Sequence, residues 1–294
     1  MQSIQPLTIK LTDLKARYWP LIKSLQTGLL MTTGIAGYMS ARCPVIHWTT
    51  LAGLAGSLFL AIAGSTMLNM WYDRDIDARM QRTCNRPLSA GALSAQEVLR
   101  LGLWMSVLGV AWAAALGALY GLVVFAGWFF DVVVYTIWLK RRTPWSIVWG
   151  GIAGGMPVLA GRALGLGMLD WIGGLLTLAV LFWIPTHILT FSMRYFDDYR
   201  RAGIPTFASA YGFPATRWTI AVSSVLAGLA MGAAALGIGL TQGALHLIGL
   251  LSGGLLLVAV YSLWRPSDKA NFTLFKFASI YMLFAMLLIS FAAL

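Results

Sequence analysis

Charge is scarce in this chain, and acidic charge scarcest: ten Asp and Glu stand against twenty-one Lys and Arg in 294 residues, 59% of them hydrophobic. With 11% charged residues and a mean hydropathy of +0.76, the composition excludes an ordinary soluble globular domain. Cysteine is nearly absent. Cys43 and Cys84 are expected on opposite sides of a membrane, which excludes a disulfide between them and a shared metal cage. The first 17 residues, with Lys10, Asp13, Lys15 and Arg17, lack the short apolar core and small-residue cleavage site of a signal peptide, and read as a cytoplasmic leader.

What the chain has in abundance is apolar sequence. Windows of about 20 apolar residues, the length that crosses a hydrocarbon core at a helical rise, fall near 18–39, 46–70, 97–118, 120–139, 145–165, 171–192, 217–237, 243–264 and 272–293. They predict an all-α polytopic membrane protein with nine transmembrane helices, residues 18–294 forming a single transmembrane domain. The amino-terminal segment and the 2–3, 4–5, 6–7 and 8–9 connections, together with the span ends that adjoin them, hold nineteen of the twenty-one Lys and Arg, leaving Arg42 and Arg162 opposite. The positive-inside rule therefore places the amino terminus in the cytoplasm and the carboxyl terminus outside. The same rule accounts for the net charge of +11, so the basic balance does not call for a nucleic-acid partner.

Outer connections are short; Leu119 and Tyr120 barely separate spans three and four. Two cytoplasmic loops are longer, residues 71–96 and 193–216, and each opens on aspartates before running through Arg, Gly and Pro. Asp73 and Asp197 lie 124 residues and four spans apart. The spacing predicts a pseudo-duplicated four-plus-four bundle with one extra helix.

The first loop reads "NMWYDRDIDARMQRTCNRPL" from Asn69 to Leu88. If the second helix runs past Tyr72, Asn69, Asp73 and Asp77 recur every four residues and form one oxygen-bearing stripe. Asp75 then projects elsewhere, solvated or paired with Arg74 or Arg79. Hard oxygen donors suit Mg²⁺, which completes its shell with water and substrate phosphates. Arg82 and Arg86 follow, and guanidinium forks grip phosphate oxygens at two points. The second loop, "RYFDDYRRAGIPTF" over 194–207, puts Asp197 and Asp198 side by side, so that one can ligate a metal while the other orients a ligand or water. Gly203 and Pro205 then turn the chain. Lys140, Arg141 and Arg142 form a third basic cluster on the same face, sufficient as a topogenic signal and also placed to touch a diphosphate. Metal-binding carboxylates beside arginines, over a greasy interior, suit an isoprenyl diphosphate. Its ionisation leaves an allylic cation that a dry aromatic pocket protects.

These stretches, with "YTIWLKRRTPWSIVWGGIAGGMPVLAG" (135–161) and "DDYRRAGIP" (197–205), resemble the UbiA superfamily of intramembrane prenyltransferases, and within it the branch that farnesylates heme. The resemblance extends from about span one to span seven. It implies a nine-helix bundle, Mg²⁺ dependence, farnesyl diphosphate as donor and heme B as acceptor. It also implies that Asn69, Asp73, Asp77, Arg82 and Arg86 occupy the family's metal and diphosphate positions. In that branch a porphyrin vinyl group attacks the farnesyl cation and water completes the product, which feeds heme A synthase and the assembly of terminal oxidases. The chain departs from the branch's pattern on the acceptor side. It has Pro185-Thr186-His187-Ile188-Leu189 in place of Pro-Pro-His-Phe-Trp, Thr206-Phe207 in place of methionine and leucine, and a single proline at Pro157.

Three buried polar residues are candidates for the acceptor. His187 lies ten residues before Asp197, about 15 Å along the helix, at a depth that suits a porphyrin contact. Asp131 lies about 13 Å into span four, free to be protonated or to pair with a residue such as His187. Lys23, at the start of span one, can reach a phosphate or a propionate, or snorkel. Trp183 and Phe191 on span six are candidates for a cavity wall, with packing as the default for both. Two other readings stand beside this one: the same donor chemistry with a quinone precursor, a chlorophyll-type tetrapyrrole or a lipid as acceptor, and a transporter. Transporters put charge at broken helices near the bilayer midplane, whereas here it gathers at one face.

Overall fold

A computed structural model describes residues 16–42 and 47–292. Cys43 and the leader's Lys10, Asp13 and Lys15 lie outside the described residues. The described chain is helical throughout, without strands. A 3₁₀ turn (Trp19–Ile22) leads into α1 (Ser24–Ser40), followed by α2 (Trp48–Tyr72), α3 (Ala95–Leu116) and α4 (Ala118–Phe129), which continues as a π-helix (Phe130–Leu139). Then come α5 (Ser146–Leu166), α6 (Trp171–Arg194), α7 (Phe207–Ile238), α8 (Gln242–Trp264) and α9 (Asp268–Ala292). One-turn helices at Arg74–Asp77 and Phe196–Arg201 follow α2 and α6.

Eight of the helices, α2 with α3, the α4–π unit and α5 to α9, are long and apolar enough to cross a bilayer. The first predicted span, 18–39, is instead a 17-residue helix, about 25 Å long. Lys23 adopts a left-handed conformation (φ 45°, ψ 60°) that separates α1 from the preceding turn, so the apolar window is longer than the helix. Gly117 alone, rather than Leu119 and Tyr120, joins α3 to α4. The seventh helix begins ten residues earlier than the apolar window at 217. Thr206 caps Phe207 onward through a reciprocal bond with Ser209, and Gly212 (φ 80°) kinks the chain just before Pro214.

The packing repeats with the sequence. α2 lies along α3, and four helices later α6 lies along α7; α1 crosses α5, and α9 closes the ring against α6, α8 and α1. One buried cluster centres on α6, α7, α8 and α9, another on α1, α2 and α4. Within a bilayer, helices gain little from apolar contact alone, so close backbone approach supplies the attraction. A Cβ at Gly161 would sit 1.9 Å from the Gly34 carbonyl oxygen, and one at Gly109 2.4 Å from the Ala61 nitrogen. These glycines let α5 meet α1 and α3 meet α2 backbone to backbone.

At the end away from the acidic loops, buried Arg162 pairs with Asp170 (2.7 Å) and donates to the carbonyl (2.7 Å) and Oγ (2.9 Å) of Ser40. Asp170 also accepts from the Gly173 N–H and caps α6 (2.9 Å). One guanidinium thus ties α1, α5 and α6. Gly161→Val should overpack the α1–α5 crossing and cost on the order of 1–3 kcal/mol, read as a lower unfolding temperature in detergent. An unchanged temperature would contradict the backbone contact.

Candidate functional site

α2 is apolar until its last turn, where burial meets charge. Asn69 and Asp73 are buried at 8% and 1% exposure, and Asp77 at 7%. The helix does not run straight through Tyr72. It breaks at Asp73 (φ −90°, ψ 6°) and resumes for one turn, but the Asp73 N–H still donates to Asn69 O (3.0 Å) and the Asp77 N–H to Asp73 O (2.8 Å). The spacing of four is therefore kept and the three side chains share one side.

Each group has a counterpart from another element. Asp73 is ion-paired with Lys140, which follows the π-helix, with Arg141 Nη2 at 3.6 Å from its other oxygen; that oxygen, Oδ1, is buried and accepts no hydrogen bond. Asp77 takes Arg86 Nη1 at 2.6 Å, and Thr83 Oγ1 donates to the Asp77 carbonyl (2.8 Å), folding the loop back on the stripe. Asn69 Nδ2 donates to Thr136 Oγ1 (2.8 Å), which turns its Oδ1 toward Lys23 Nζ (3.5 Å).

Thr136 owes its position to the π-helix. There Lys140 N–H bonds to Tyr135 O five residues back (2.8 Å), and Thr136 Oγ1 itself donates to Asp131 O (2.7 Å). Wide turns of this kind recur at functional sites because they re-aim side chains. Asp131 is not paired with His187: its carboxyl bonds with Ser65 and lies within electrostatic reach of Lys23, Lys140 and Asp73. Lys23 and Asp131, grouped with His187 in the sequence reading, thus sit at the Asn69 end instead.

Asp75 is neither free nor held chiefly by Arg74 or Arg79. Arg141 grips it at 2.7 and 2.9 Å, also donating to Tyr72 O (2.8 Å), and Arg79 stands 3.8 Å away. The guanidinium holds the Asp75 carboxyl below its ordinary pKa. Arg142 is exposed.

The second loop docks on the first. Asp198 is buried, accepts the backbone N–H groups of Gln81 (3.3 Å) and Arg82 (3.4 Å) and pairs with Arg201. Burial raises its pKa, but Arg201 and the two N–H groups outweigh that and hold it below the ordinary value. Asp197 is exposed and paired with Arg200 (3.1 Å). Ile76 and Met80 pack against Tyr199, Ala202 and Ile204 beneath this clasp. Arg82 parts company with Arg86: its guanidinium lies over the Phe191 and Tyr195 rings (4.8 and 5.3 Å) beside the second loop.

His187 is half-buried and stacked between Trp183 and Phe275 (centroids 4.9 and 4.6 Å), with Nδ1 3.2 Å from Ser279 Oγ. Trp183 donates to Ala278 O (2.7 Å) and packs α6 on α9, whereas Phe191 lies beneath Arg82. Thr136, Thr83, Arg194, Phe275 and Ser279 carried no sequence signal strong enough to single them out. The Asp131–Thr136 stretch, rich in β-branched residues poor at α-helix, was the nearest hint.

Among the described residues no three His, Cys, Asp or Glu side chains cluster into a metal cage. Two carboxylates and an amide, one carboxylate oxygen being buried without a hydrogen bond, nevertheless fit Mg²⁺, which takes few protein ligands and completes its shell from phosphate and water.

A family model described as UbiA prenyltransferase family matches residues 29–287. The chain is 45% identical over 198 residues to a protoheme IX farnesyltransferase of Archaeoglobus fulgidus, covering 67% of this chain and 69% of that protein. It is 39% identical over 270 residues to that of Pyrobaculum arsenaticum, covering 89% and 94%. Among solved structures, a digeranylgeranylglyceryl phosphate synthase superposes with a TM-score of 0.78 at 18% identity, covering 95% of this chain and 98% of that one. A UbiA homolog from A. fulgidus bound to DMAPP and Mg²⁺ gives 0.71 at 15% identity, covering 93% and 99%. At these identities the superpositions establish the shared fold.

The clasp between the loops is open to test. Asp198→Ala should speed hydrogen exchange at the Gln81 and Arg82 amides, roughly tenfold for each 1.4 kcal/mol of local opening. Unchanged protection there would contradict the role given to Asp198.

Proposed function

The chain belongs to the UbiA prenyltransferase family, and from that premise we propose that it transfers the farnesyl group of farnesyl diphosphate to a vinyl group of heme B. The names of the relatives support this acceptor. The observation that carries the donor half is the buried Asn69–Asp73–Asp77 stripe, held at the end of an apolar helix and ringed by Lys23, Arg86 and Lys140. A site with paired charges of both signs at the edge of a greasy bundle suits a ligand that is itself half diphosphate and half hydrocarbon.

In this reading Asn69, Asp73 and Asp77 would hold Mg²⁺ from the first loop, and Asp197, exposed on the second, would join by exchanging Arg200 for the metal, while Asp198 stays in the clasp. Bound Mg²⁺ neutralises the diphosphate and makes it a better leaving group. Arg86, Lys140 and Lys23 supply charge-assisted donors to its oxygens. Arg141 keeps Asp75 out of the site and Arg142 adds positive charge at its rim. The Asp198 clasp positions the first loop and screens the reacting end from water. The prenyl chain lies among apolar side chains of the bundle, where an allylic cation survives long enough to meet a vinyl carbon.

From the basic loops we infer that the acidic face lies on the cytoplasmic side of the inner (plasma) membrane, with the carboxyl terminus outside. Residues 18–294 then work as one domain, and the product passes to the enzymes that convert it to heme A or insert it into terminal oxidases.

Purified protein supplied with Mg²⁺, farnesyl diphosphate and heme B should yield a farnesylated hydroxyethyl porphyrin by mass spectrometry. Turnover with another acceptor but none with heme would overturn the heme assignment. Asp73→Asn should lower kcat by roughly 10²-fold or more, and retained turnover would sink the metal site.

A further inference from the structure

Arg82 and Arg194 stand apart from the other cations near the acidic loops. Asp197 and Asp198 are satisfied by Arg200 and Arg201, whereas Arg82 and Arg194 have no ion-pair partner among the described residues. Both sit over aromatic rings: Arg82 over Phe191 and Tyr195, Arg194 over Phe272 at 3.9 Å. A guanidinium without a carboxylate partner can offer its planar N–H fork to a ligand carboxylate at two points. Both line an open cleft of about 770 Å³ against the second loop, shared with Asp197 and Asp198 and their partners Arg200 and Arg201, so that four cations face two carboxylates there.

Below the cleft the aromatic surface continues between α6 and α9. Tyr195 meets Phe191 (4.7 Å), Phe191 meets Phe275 (5.6 Å), and Phe275 stacks on His187 (4.6 Å). A half-buried aromatic seam, its rings tilted or stacked on one another, thus runs from the cationic cleft down to His187.

From this juxtaposition we propose that Arg82 and Arg194 form a two-pronged clamp for the propionate carboxylates of the porphyrin acceptor, whose ring lies along the Phe191–Phe275–His187 wall. The inference rests on the porphyrin reading of the function and adds what that reading lacks, the residues that select and orient the acceptor. Protoheme carries its two propionates on one edge and its vinyl groups away from them. Holding the acid edge at the cleft therefore turns the vinyl-bearing side into the bundle. Arg82 belongs to the same loop as Asp77 and Arg86, so acceptor capture is mechanically joined to the donor site. Arg82 lies over Phe191 and Tyr195 beside the second loop, whereas Arg86 pairs with Asp77 at the donor site, and this separation puts Arg82 on the acceptor side.

The test compares zinc protoporphyrin IX with its dimethyl ester, in which the same ring carries no carboxylate, by fluorescence titration of the full-length protein in nanodiscs. The wild type should bind the diacid tighter by roughly tenfold or more. Arg82→Gln/Arg194→Gln should bring the two to near parity by weakening the diacid alone. An unfolding temperature within a few degrees of the wild type, measured on the same samples, verifies that the variant is folded. Equal binding of diacid and ester by the wild type, or a preference that survives in the double variant, overturns the clamp while leaving a porphyrin acceptor in place. If neither porphyrin binds while farnesyl diphosphate does, the porphyrin reading fails and the clamp with it.

Discussion

Two carboxylates buried at the end of one apolar helix constrain everything around them. Asp73 and Asp77 cannot sit ionised at the edge of a bilayer protein without counter-charge, because stripping water from an unpaired carboxylate costs several kcal/mol. The counter-charges come from distant sequence: Lys140 from the connection after the π-helix, Arg86 from the far side of the first loop. The pairs therefore pin the 4–5 connection and the first loop to α2, and the second loop is fixed in turn by Asp198 on the Gln81 and Arg82 amides. A ligand bringing both metal and phosphate exchanges partners with these pairs without leaving a charge stranded.

Much of this was legible from the residues in order. The recurrence of Asn69, Asp73 and Asp77 every four positions reports a shared helix side, and it survives the break at Asp73 because the intrahelical bonds across the break are kept. The four-helix repeat between Asp73 and Asp197 reappears as α2 on α3 and α6 on α7. What the order could not give is partner choice in the turns. Arg82 and Arg86 are four apart and looked like one phosphate grip, but the chain after Asp77 leaves the helix and sends them to different walls. Hydropathy likewise could not see that Lys23 would interrupt the first apolar window, nor that a widened turn would aim Thr136 at Asn69.

The two halves of the repeat have diverged in use. The first loop buries its acids and surrounds them with cations, whereas the second spends one acid on the clasp and exposes the other. Beside it α6 and α9 present aromatic rings with guanidiniums over them. In the proposed reading the first half takes the diphosphate and the second the flat, anionic acceptor. The departures from the family's pattern around His187 fall in the second half, where the acceptor rather than the shared donor would set the requirements.

The internal pairing of Asp73 with Lys140 is tested most directly by a thermal double-mutant cycle read alongside magnesium-dependent diphosphate binding. Lys140→Met alone should strand a buried carboxylate and cost on the order of 3 kcal/mol. Adding Asp73→Asn should return most of that stability while diphosphate binding is lost. A Lys140→Met protein as stable as the wild type, or stability losses that simply add in the double variant, would show that the buried pair is not the constraint on which the site is built.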